Sequence, residues 1–159
     1  MDASLLKNLM VVSVESGASL GMVDDVLFDT EQLRVAALVL RHDGAHLILP
    51  FGAVQHIGAD AITVADADSA GTAHAEASVN LMRSLDDLIG LRVLNSEAED
   101  LGDVRSLTID DETGDLTELA AHSGGMLGLG GSRTVVLVSA IRGIGDDFVT
   151  AETSAAGAS

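Results

Sequence analysis

With 159 residues the chain fits one domain of ordinary size or two very small ones, and 47% hydrophobic against only 2% aromatic residues means that any core is built from Val, Leu, Ile and Ala. The 25 acidic residues outweigh the 8 basic ones to a formal charge of -17, which repels phosphate backbones and anionic lipid heads and so argues against direct nucleic-acid or membrane-surface binding. With no cysteine there are no disulfides, thiolate metal sites or cysteine nucleophiles.

The chain opens on a short apolar run that carries Asp2, Lys7 and Asn8 and lacks a basic leader, so it does not read as a signal peptide. No stretch approaches the roughly 18 apolar residues of a spanning helix. The expectation is a cytoplasmic chain with no transmembrane segment. Residues 10–14, 20–28, 35–41, 45–49 and 62–65 are rich in Val, Leu and Ile and read as strands. They are separated by Ser16-Gly17, Asp29-Thr30-Glu31, His42-Asp43-Gly44 and Gly58-Ala59-Asp60, all turn formers. Five or six strands in about 60 residues predict a small barrel, because closing the sheet removes exposed edges.

Residues 66–77 have the small, polar composition of a linker. Ser84, Asp86, Asp87 and Gly90 then supply a cap, first-turn acids and a terminal glycine, which predicts one helical turn. Beyond it the first pattern returns. Ser4-Leu5 recurs as Ser84-Leu85, Leu20-Gly21-x-Val23 as Leu101-Gly102-x-Val104, and Ile57-Gly58 through Ile62-Thr63 as Ile144-Gly145 through Val149-Thr150. The spacing grows by six residues between Ser123 and Gly130, which places an insertion in the glycine-rich run 124–131 at a hairpin tip.

The two ordered copies are similar to the PRC-barrel family, whose pattern the first copy carries in Leu20, Gly21, Val23, Asp25, Val26, Pro50, Phe51, Val54, Ile57, Gly58, Asp60 and Ile62. The second copy departs from it where Ser106 replaces Asp25 and Leu137-Val138 replaces Pro50-Phe51. The resemblance implies an all-β fold: two small PRC-type β-barrels in tandem, in a pseudo-two-fold arrangement with a short linker. The barrels are expected at 1–66 and 84–152, the linker at 67–83 and a disordered tail at 153–159. The barrels are further expected to pack along an apolar seam, since about 65 residues bury too little surface to be stable alone.

The resemblance also implies a non-enzymatic adaptor or scaffold acting through protein–protein contacts. The alternative is an assembly or maturation factor for a ribosomal or membrane complex, acting on a protein subunit. Asp25, Pro50 and Phe51 are candidates for a partner surface because the second copy lacks them. Met126, Leu127 and Leu129 join them as apolar side chains on a glycine-rich protrusion. The partner is expected to be a protein, with further homo-oligomerisation left open.

No catalytic residues, cofactor or metal ligands are assigned. His42 and His46 flank a polar hairpin tip but lack a third and fourth ligand at a usable spacing. Asp110-Asp111-Glu112-Thr113-Gly114-Asp115 has the acids of a calcium loop without its twelve-residue pattern, and reads as a β-hairpin turn. The run 124–131 lacks the Lys-Ser/Thr of a phosphate-cradling loop.

Overall fold

The computed structural model describes residues 1–71, 82–124 and 131–152, and there the apolar runs form strands. In the first copy these are β1 (Met10–Ser13), β2 (Ser19–Asp29), β3 (Arg34–His42), β4 (Ala45–Pro50), β5 (Val54–Ile57) and β6 (Ala61–Val64). They form one sheet in the order β4-β3-β2-β1-β6-β5, and β7 (Met82–Ser84) adds to β2. After the four-residue helix α1 (Leu85–Leu88) come β8 (Arg92–Asn95), β9 (Asp100–Ile109), β10 (Leu116–Ser123), β11 (Ser132–Leu137), β12 (Ile141–Ile144) and β13 (Phe148–Ala151). Their order, β11-β10-β9-β8-β13-β12, repeats that of the first sheet. One pair in each copy is parallel, β1 with β6 and β8 with β13.

The copies agree down to their irregularities. The bulge between Val23 and Asp25 on β2 recurs between Val104 and Ser106 on β9. The Leu-Gly motif owes its glycine to a close approach beside that bulge. Gly21 (φ +129) and Gly102 (φ +113) lie so near the adjacent strand that a Cβ would meet Arg41 O at 2.5 Å or the His122 carbonyl carbon at 2.5 Å. The β3–β4 hairpin turns on Asp43 (φ 47) and Gly44 (φ 81), the left-handed pair of a two-residue loop.

The opening of the two copies matches differently from the Ser4-Leu5 and Ser84-Leu85 alignment. Asp2 caps the first turn by accepting from the Ser4 amide, and Ser84 caps α1 by accepting from the Asp87 amide. Two residues past each turn, Asn8 N donates to Val23 O (2.8 Å) and Gly90 N to Val104 O (2.8 Å). Asp2 is therefore the counterpart of Ser84, and Leu6 that of Leu88. The shared Ser-Leu pair is coincidental, because the copies use different cap residues.

The copies exchange their leading segments. β7 pairs with β2 of the first sheet (Leu27 with Ser84, Phe28 with Arg83), while Asp2 bridges to Thr108 on β9 and Ile109 N donates to Met1 O (2.8 Å). At the centre, Val35 N donates to Gly114 O (2.8 Å) and Leu116 N to Leu33 O (2.9 Å), around an antiparallel bridge between Arg34 and Asp115. Leu33, Arg34 and Val35 are the counterparts of Gly114, Asp115 and Leu116, so an approximate two-fold axis passes through this bridge. A single buried cluster contains Leu6, Val11 and Leu38 of the first copy with Val93, Leu107 and Leu119 of the second, which is the apolar seam.

Both described ends of the expected linker are bound into the first sheet. Gly71 pairs with Ile48 on the outer edge of β4, and Met82 belongs to β7. Residues 72–81, most of the insertion (125–130) and the expected tail (153–159) lie outside the described residues.

Candidate protein-interaction surface

The seam holds two of the residues expected to meet a partner. Phe51 follows β4 in a short 3-10 turn and is 5% exposed. Its ring faces Gly114 of the other copy, where a Cβ would lie 2.7 Å from Cε1. It therefore packs inside the protein, as a contact between copies.

Asp25 is half-buried on β2, and its carboxylate accepts from the Val26 amide at 2.8 Å. Burial pushes this carboxyl above its ordinary value of 3.8. The Val26 amide opposes the shift, Asp86 on α1 adds to it, Lys7 opposes it and Asp87 adds again. Asp25 thus senses charges from both copies.

Pro50 is half-buried at the end of β4, opposite Ala37. Met126, Leu127 and Leu129 lie outside the described residues. Of the three described candidates, Asp25 and Phe51 face the seam and Pro50 ends β4 at a sheet edge.

Sequence reasoning missed other exposed apolar side chains: Leu5 (61%), Val14 (62%), Leu137 (54%) and Phe148 (45%). Leu5 sits on the outer side of the first 3-10 turn and Val14 in the turn after β1, while the strand register, set by turns and bulges, directs Leu137 and Phe148 outward.

The surface around them is acidic. Six of the basic side chains are held by acids: Lys7 by Asp86 (2.6 Å), Arg34 by Asp115, Arg41 by Asp24 (2.6 Å), Arg83 by Asp146, Arg92 by Asp100 and Asp103, and Arg142 by Glu152. The remaining acids leave the chain with an excess of negative charge, which repels anions and attracts cations.

His46 lies 3.3 Å from Asp24, and His42 is 3.3 Å from Asp43, all at the exposed hairpin end. Among the described residues no three His, Asp or Glu side chains converge as metal ligands would. The Asp110 carboxylate accepts from the amides of Glu112 (2.8 Å) and Thr113 (3.2 Å), with Gly114 at φ +80. That is the bonding of a tight turn, and Asp29 holds the matching turn through Glu31 and Gln32. Among the described residues no helix is long and apolar enough to cross a membrane.

The two sheets with their common strand order can be set beside known families. A family model described as the PRC-barrel domain matches residues 1–70 and again 82–156. No curated protein matches the chain.

Proposed function

From the premise that this chain belongs to the PRC-barrel domain family, we propose that it is a non-enzymatic adaptor or scaffold that acts through protein–protein contacts. The family is generally non-catalytic and often serves in protein interaction, and fold alone does not select a partner. The observation that carries the reading is the tandem seam. The pairing of β7 with β2, the bridge from Asp2 to Thr108 and one shared buried cluster bind the two copies into one body that meets a partner as a unit. An acidic shell with a few exposed apolar side chains then favours a neutral or basic protein partner.

Affinity purification of the full chain from its native cell, followed by reconstitution with the purified candidate, tests this. A directly binding protein of defined stoichiometry is expected. Failure of every reconstituted candidate to bind, or turnover of a small substrate by the chain alone, would reject the adaptor reading.

A further inference from the structure

In the first copy Arg41 of β3 stands opposite His46 of β4, and Asp24, in the bulge of β2, ties the two together. Asp24 Oδ1 accepts from Arg41 Nη1 at 2.6 Å, and Oδ2 lies 3.3 Å from His46 Nε2. The second copy repeats the backbone of this arrangement. His122 pairs with Asp103 as Arg41 pairs with Met22, so His122 is the counterpart of Arg41. Arg133 lies opposite His122 and is the counterpart of His46. The arginine and the histidine have changed places, and the pair survives.

The carboxylate does not survive. Arg105 stands in the recurring bulge between Val104 and Ser106, where the first copy has Asp24. Three nitrogen-bearing side chains thus meet on the neighbouring strands β9, β10 and β11 without the acid that bridges their counterparts. Arg105 and Arg133 are exposed, and they are the two basic side chains outside the ion pairs given above. The nearest acid in register, Asp103, is engaged with Arg92, as is Asp100. Residues 125–130 and 153–159 contain no Asp or Glu. Glu76 falls in a stretch joined to the first sheet at both ends, through Gly71 on β4 and Met82 on β7.

We propose that Arg105, His122 and Arg133 form a docking site for the carboxylate of a single Asp or Glu side chain presented by a partner protein, in the place that Asp24 holds in the first copy. This inference rests on the protein-binding reading above. Crowding like charges on adjacent strands costs free energy, and a bound carboxylate relieves it. The charge of -17 repels a polyanion such as nucleic acid and also a second copy of the chain, so the carrier of that carboxylate is neutral or basic overall.

The test uses a displayed library of random short peptides selected against the intact chain. The selected peptides are expected to be neutral or basic overall and to share one Asp or Glu, whose replacement by the amide weakens binding about tenfold. Arg105→Asp gives the second copy the carboxylate of the first and fills the site from within. That variant is expected to melt no lower than the parent and to bind the peptides about tenfold more weakly. Arg133→Gln should weaken them similarly. In the parent, bound peptide should shift the side-chain Nε–H resonances of Arg105 and Arg133, a readout that needs no variant.

Peptides that bind without an acid, or that leave both guanidinium resonances unmoved, overturn the site while leaving the adaptor reading intact. A library that yields no binder overturns it as well. Inorganic phosphate that binds as tightly as the peptides would make this a site for a small anion, and a dimer of the parent that is lost in Arg105→Asp would make a second copy the occupant. Either result overturns the choice of partner.

Discussion

Asp25 and Ser106 occupy matching positions on β2 and β9, yet only the aspartate brings charge to the seam. The folded state raises its pKa, so its ionised form is disfavoured there relative to the unfolded chain. Below the ordinary value of 3.8 the carboxyl is protonated in both states and contributes nothing. As the pH rises through the raised value the folded state binds more protons than the unfolded one, and stability falls. Asp25→Asn keeps an acceptor for the Val26 amide and removes the charge. The variant is expected to melt above the parent at neutral pH, with the difference closing as the pH falls below the ordinary aspartate range. A variant that melts lower at neutral pH would show that Lys7 outweighs burial and the two neighbouring acids. Gly114 offers a second test at this scale, because it combines φ +80 with the Phe51 ring. Gly17 has φ +72 and open space around it. Gly17→Ala is expected to cost about 1 kcal/mol from backbone conformation alone. Gly114→Ala should cost about 1–3 kcal/mol more, because the ring must also move. Urea unfolding of the two variants separates these contributions, and equal costs would mean that Phe51 moves aside freely.

Elements were legible wherever local pattern decides them. Apolar runs bounded by glycine and acidic turns marked the five strands anticipated in the first copy, and the Ser84 cap with its first-turn acids marked α1. β5 escaped because Val54-Gln55-His56-Ile57 is too short and mixed to show a period. β7 escaped because Met82-Arg83-Ser84 becomes a strand only through pairing with β2, a long-range contact with no local sign. The burial of Phe51 was hidden for a similar reason. Phe51 reads as a family hallmark, but nothing nearby in sequence reveals that Gly114 will receive its ring. The cap correspondence can be tested directly. Asp2→Ala and Ser84→Ala each remove a first-turn cap and are expected to cost about 1 kcal/mol. Ser4→Ala leaves both cap-to-amide bonds in place and should cost less. Thermal denaturation of the three variants checks this, and the Ser4 variant proving as damaging as Ser84→Ala would restore the alignment through Ser4.

At the scale of the whole molecule, packing between two small modules follows from their size, but reciprocal exchange does not. The apolar seam could be expected because each copy alone buries little. The exchange joins residues far apart in sequence, Asp2 with Thr108 and Arg83 with Phe28, and leaves no periodic trace. Its consequence is that β2 and β9 are each bonded by the other copy's leading segment. The buried cluster crosses the same boundary, so the two copies should behave as one cooperative unit even without a covalent connection. A protease site placed within residues 72–81 allows this to be tested. After cleavage, the two pieces are expected to elute together at micromolar concentration and to melt in one transition. Because folding then requires association, the melting temperature should become dependent on protein concentration, which it is not for the intact chain. Urea should dissociate and unfold the pieces together, and removal of urea should restore the complex when both are present. Two pieces that separate on a sizing column while each keeps its strand content, or two concentration-independent transitions after cleavage, would show that the exchange is incidental and that each copy folds alone.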